Sequence, residues 1–156
     1  MISGVDLLRG IAQMASIEVV KVAGVTDGLD NDYSAQGEGA LKELQNHDLV
    51  VVHVEAPDEA GHSGLIDGKI EAIEKTDKEI IGRLLNYKGD QLRLLILPDH
   101  PTPIDIQTHT AEQVPFLLCG PGIKSNGAQR LTEKEGKSTG FQQKVGYDII
   151  KQLVKN

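Results

Sequence analysis

The chain of 156 residues has 39% apolar and 25% charged residues and a formal net charge of −7, the profile of one soluble globular domain able to bury a core. Clustered Lys and Arg that would grip a phosphate backbone are missing and aromatic residues make up only 3%, which excludes nucleic acid as the main partner. No apolar stretch suits a membrane span, no basic leader precedes a cleavage site, and a single cysteine, Cys119, fits a reducing cytoplasm.

Ser3-Gly4-Val5-Asp6 resembles a capping box with Asp in place of Glu. Leu7, Leu8, Ile11 and Met14 follow at helical spacing, so residues 4–15 are predicted to be a helix. The β-branched run Ile17 to Val22 predicts a buried strand. Gly, Asp and Asn crowd Gly24 to Tyr33 and make it a loop. Ser34 would cap a helix running to about Asn46, in which Gly37 and Gly39 each cost roughly 1 kcal/mol relative to Ala. Asp48 leads into a second strand, Leu49 to Val54.

After the Pro57-Asp58 turn, Ile66, Ile70, Ile73, Ile80, Leu84 and Leu85 fall on one face of a long helix, opposite Glu, Lys and Asp. Lys88-Gly89-Asp90 ends that helix, and Leu92 to Leu97 forms a third strand. Val114 to Cys119 forms a fourth, closed by Gly120-Pro121-Gly122. A loop rich in Gly, Lys and Ser leads to a last helix from about Gln142 to Val154.

Strands alternating with helices imply an α/β fold: a three-layer sandwich with a mostly parallel sheet covered by helices. Such sheets place ligands beyond the carboxyl ends of their strands. Asp58 follows the second strand, Asp99 and His100 follow the third, and His109 lies on the loop leading into the fourth. An antiparallel fourth strand would start at that same edge. Carboxylate and imidazole together suit Mn²⁺, Zn²⁺ or Co²⁺ better than Ca²⁺. Asp58 and His62, four residues apart, would point the same way from one helical turn, which Pro57 favours at its start. Asp99 and His100 adjoin at a strand end, where neighbouring side chains diverge, so they would straddle a metal pair.

Each residue also has a plainer reading. Asp58 after Pro57 suits an ordinary turn, Asp99-His100 a capped loop, and His109 between two threonines an exposed surface. His53 within a strand reads as structural, and His47 as a complement to a helix dipole. Ser63 and Thr102 are the candidate nucleophiles closest in sequence to those ligands, but Ser63 reads better as a cap for the following helix, and Thr102 is held extended between two prolines.

The string His53-Val54-Glu55-Ala56-Pro57-Asp58-Glu59-Ala60-Gly61-His62 resembles the signature of the archaeal-type, cofactor-independent phosphoglycerate mutases. Asp99-His100-Pro101-Thr102-Pro103, Thr108-His109-Thr110 with Val114-Pro115, and the opening Ile2-Ser3-Gly4-Val5-Asp6-Leu7-Leu8 extend the resemblance over nearly the whole chain. It implies an alkaline phosphatase-like core with two divalent metals, Mn²⁺, Zn²⁺, Co²⁺ or Mg²⁺. Asp58, His62 and His109 would hold one metal, and Asp99 and His100 would contribute to the other. The implied reaction is the glycolytic interconversion of 3-phosphoglycerate and 2-phosphoglycerate through a phosphoserine. The nucleophilic Ser, an early Asp, the first core strand and an inserted domain have no counterpart here. The chain is therefore expected to be the carboxy-terminal part of the enzyme core, inactive alone, with a bare sheet edge that allows homo-oligomers. Other phosphatases and phosphotransferases of that superfamily share such ligands, and a non-catalytic metal-binding module is the contrasting alternative.

Overall fold

In the computed structural model, residues 1–89 and 92–154 are described, and they fall into two compact units. The first comprises Met1–Lys88 and Thr102–Thr108, the second Gly89–Pro101 and His109–Asn156.

In the first unit, the opening periodicity closes a helix, α1 (Asp6–Met14). Its N-cap is Val5, without a side-chain cap. Ser3 Oγ instead accepts from Val5 N at 3.1 Å, and Arg9 Nε donates to Ser3 O at 2.8 Å. Ile17–Val22 and Leu49–Val54 do not form regular strands, because Met1–Ile2 runs between them as a very short partner. Met1 N donates to Glu18 O (2.5 Å) and Val20 N to Met1 O (2.9 Å) on one side. Ile2 N donates to Val51 O (2.8 Å) and His53 N to Ile2 O (2.9 Å) on the other, a parallel bridge of Ile2 to Val52. The ladder stops there because the chain turns at Gly4, where a Cβ would lie 2.2 Å from the Thr26 carbonyl carbon.

Asp32, rather than Ser34, caps α2 (Tyr33–Glu43), accepting from Ala35 N at 2.9 Å. The loop before it is held by a buried polar chain. Asn31 Nδ2 donates to Gln36 Oε1 (2.9 Å), and Gln36 Nε2 donates to His53 O (2.7 Å). Next come α3 (Ala56–His62) and α4 (Ile66–Lys75). Ser63 is the C-cap of α3 rather than a cap for α4, and Gly64 at φ +68° makes the break.

Thr76–Ile81 continues α4 as a π-helix, followed by α5 (Gly82–Leu85). The predicted single apolar face is therefore split. A π turn advances the chain by less rotation per residue, so positions on either side of it lose their shared phase. Ala72 and Ile80 are buried with Tyr33 and Ala56, packed by Val52, Val54 and Leu84. Ile66, Ile70 and Ile73 are each more than half exposed. The helix stops at Leu85, ahead of Lys88 and Gly89, and Asp90 lies outside the described residues.

In the second unit, β1 (Leu94–Ile96) and β2 (Leu117–Cys119) pair antiparallel, with Ile96 opposite Leu117. The end of β1 and the start of β2 thus share one edge. After β2, Gly120 at φ +126° brings the chain against the Leu92 carbonyl, 2.6 Å from where a Cβ would stand. Residues expected as loop form α6 (Glu133–Ser138), capped by Thr132, whose Oγ1 accepts from Glu135 N at 3.2 Å. The final helix begins later than expected, as a 3₁₀ turn, Gly146–Asp148, and then α7 (Ile149–Val154). No helix among the described residues is long and apolar enough to cross a membrane.

Candidate metal centre

Pro57 in the first turn of α3 suits its missing N–H, and the Asp58 and Glu59 carboxylates favour the dipole there. One helical turn then sets Asp58 Oδ2 and His62 Nε2 3.2 Å apart. His62 Nδ1 lies 2.9 Å from the Gln107 carbonyl oxygen. A carbonyl only accepts, so Nδ1 carries the proton and Nε2 is the nitrogen presented to Asp58. An imidazole lone pair and a carboxylate oxygen at that separation need a positive charge between them, a proton or a metal ion.

The Asp58 carboxylate is fixed from its other side. Thr102, buried between Pro101 and Pro103, donates its hydroxyl in a short hydrogen bond to Asp58 Oδ1. Lys69 Nζ of α4 donates to the Thr102 carbonyl at 2.6 Å. Gly61 allows this loop to lie on α3, since a Cβ there would stand 2.7 Å from Thr102 O. Glu55 and Glu59 bring carboxylate oxygens within 4.8 Å of one another and of Asp58. His53, as expected, is structurally engaged: Nδ1 lies 3.2 Å from Ser3 Oγ and Nε2 3.3 Å from Glu55. His47 stands beyond α2 with Nδ1 3.1 Å from Glu43 O, again as expected.

In the second unit, Asp99 and His100 follow β1 in a bend rather than inside a strand. The expected divergence of neighbouring side chains therefore does not apply. Asp99 Oδ1 accepts from His100 N (3.1 Å), and Oδ2 lies 3.4 Å from His100 Nε2. The His100 and His109 rings stack with centroids 3.6 Å apart and planes tilted by 31°. These three residues thus gather at the edge shared by the end of β1 and the start of β2.

Carboxylate and imidazole donors in this mixture fit a divalent metal ion. The supporting partners, Thr102, Lys69 and the Gln107 carbonyl, were missed by sequence reasoning. Their signal was available in part: prolines on both sides of Thr102 mark a rigid segment close to candidate ligands. A backbone carbonyl leaves no such trace.

The family model described as the metalloenzyme superfamily matches residues 1–154. The chain belongs to the metalloenzyme superfamily. It is 40% identical to the 2,3-bisphosphoglycerate-independent phosphoglycerate mutase of Methanothrix thermoacetophila, over 98% of this chain and 40% of that protein. It is 45% identical to the 2,3-bisphosphoglycerate-independent phosphoglycerate mutase 2 of Methanothermobacter thermautotrophicus, over 85% of this chain and 33% of that one. Among solved structures, the PH0037 protein from Pyrococcus horikoshii superposes with a TM-score of 0.92 at 28% identity, covering 97% of this chain and 46% of that one. Membership implies divalent metals for the superfamily's alkaline phosphatase-like fold, here seen as helices with a small two-stranded sheet. The chain spans about two fifths of the length of the curated relatives it matches.

Proposed function

We propose that this chain is the metal-ligating portion of a 2,3-bisphosphoglycerate-independent phosphoglycerate mutase, acting with further sequence on 3-phosphoglycerate and 2-phosphoglycerate in the cytoplasm. Asp58, His62 and His109 hold one divalent ion, and Asp99 and His100 contribute to a second. The observation that carries the reading is the Asp58–His62 pair, with Nε2 and a carboxylate oxygen facing across 3.2 Å while Nδ1 is committed to Gln107 O. The mutase relatives supply the substrate class. The Gln107 contact holds the 102–108 segment of the first unit on α3. Within the second unit, the stack of His100 on His109 brings two candidate ligands together.

Bound divalent ions would supply the positive charge that phosphoryl transfer needs at its oxygens. The chain's own part is to keep His62 in one tautomer, to hold the Asp58 carboxylate beside it through the Thr102 hydroxyl, and to gather Asp99, His100 and His109 at one strand edge. The same reading extends the sheet to a mostly parallel, helix-covered three-layer core once the remaining family sequence is present.

Calorimetric titration with Mn²⁺ tests the site. Asp58→Asn and His62→Ala should each weaken binding by at least about tenfold, the scale of losing a ligand's support or more. Equal affinity in both variants and the parent would remove the metal assignment. A mutase assay with Mn²⁺ tests the rest: the chain alone should be inactive, and turnover at the rate of a complete enzyme would overturn the portion reading.

A further inference from the structure

Resting on that metal-site reading, the geometry points to Thr102 as the positioning residue that orients the Asp58 carboxylate toward His62 and a divalent ion, with Lys69 holding Thr102 in place. A carboxylate turns about its terminal torsion over a broad range, so its direction must come from a neighbour. Thr102 is 4% exposed, and its hydroxyl donates to Asp58 Oδ1, which leaves Oδ2 on the side of His62 Nε2. The donor itself cannot wander. Pro101 and Pro103 restrict its backbone, Lys69 Nζ binds its carbonyl at 2.6 Å, and Gly61 lies beneath it without a side chain. Such outer partners orient metal ligands, and their removal costs about 10–100-fold in metal affinity.

A space-filling role for Thr102 predicts the opposite pattern of variants. Thr102→Val keeps the shape and loses the donor, whereas Thr102→Ser keeps the donor and loses the methyl that packs near Gly61. Positioning requires Thr102→Val to weaken Mn²⁺ binding by about 10–100-fold and Thr102→Ser to bind as the parent does. Mn²⁺ binding would be followed on the full chain by paramagnetic resonance of the free ion, with melting in chelator to confirm folding. Ring ¹⁵N shifts of His62 in the metal-free protein give a second readout, which Thr102→Val should move and Thr102→Ser should not. If Asp58→Asn loses Mn²⁺ while Thr102→Val binds like the parent, the Thr102 inference falls and the metal site stands. If Mn²⁺ binding ignores Asp58, the metal reading falls, and the His62 shifts alone decide whether Thr102 sets the carboxylate. Unmoved shifts in Thr102→Val overturn it. Lys69→Met, which leaves the hydroxyl in place, should act in the same direction as Thr102→Val and more weakly.

Discussion

Single side chains here have contrasting tasks, and Glu79 shows one that is purely structural. Hydrogen bonds from Arg83 and then Lys78 hold its carboxyl below the ordinary glutamate range. The folded value lies below the unfolded one, so the pairing stabilises the protein above the ordinary value of 4.5 and is lost as pH falls through the lower folded value. A carboxyl ¹³C titration should therefore place the Glu79 midpoint below 4.5. Arg83→Met should raise it toward the ordinary range, and an unchanged midpoint would show that Lys78 or water suffices. The pair is only partly buried and stays open to solvent screening, so it should alter the melting temperature little. At the candidate centre the residue-scale lesson is different. Asp58 and His62 were legible from their spacing and flanking Pro57, because i,i+4 geometry is a property of the local helix. Their partners were not, because Thr102 and Gln107 reach them only after the chain has returned from more than forty residues away.

At the scale of elements, the π-helix reverses a prediction made from propensity. Gly37 in α2 reads as a weak point whose replacement by Ala should gain roughly 1 kcal/mol. In the fold a Cβ at Gly37 would lie 2.4 Å from the Glu79 carbonyl oxygen, on the π turn packed against α2. Gly37→Ala should therefore lower stability in chemical denaturation, and a gain would mean that α2 and the π turn can separate without cost. Ile80, buried at 3% exposure within the same π turn, is a true core residue. Ile80→Ala should cost about 2–5 kcal/mol, whereas Ile70→Ala, at an exposed position, should cost far less. Periodicity alone gave these two isoleucines the same standing. The separation arises at Thr76, whose hydroxyl donates to Ala72 O at 2.8 Å within the helix as its turns widen. The converse case is α6, where Thr132 and Glu135 have the spacing of a capping box, a signal that outweighs the Gly and Lys around it.

For the whole molecule, the apolar residues that remain exposed are the main consequence. Leu7 is 71% and Met14 82% exposed on α1, and Ile66 is 58% exposed at the start of α4. Faces of this kind on an isolated chain favour association. Light scattering should show a mass that rises with concentration, and Leu7→Ser with Met14→Ser should reduce that rise. A clean monomer at high concentration would count against association by these faces and by a bare sheet edge alike.

Sequence by itself determined most of the helices, though not α6 or the π turn, together with the superfamily and the residue types of the candidate ligands. Those rest on local spacing and on short strings such as Pro57-Asp58 to His62 and Asp99-His100. Tertiary structure alone decided which predicted strands pair, that β2 runs antiparallel to β1, and which nitrogen of His62 faces Asp58. The physical reason is the range of the interactions. A helix turn is closed by residues four apart, whereas a strand needs a neighbour and a carboxylate needs a donor, and both arrive from distant parts of the chain.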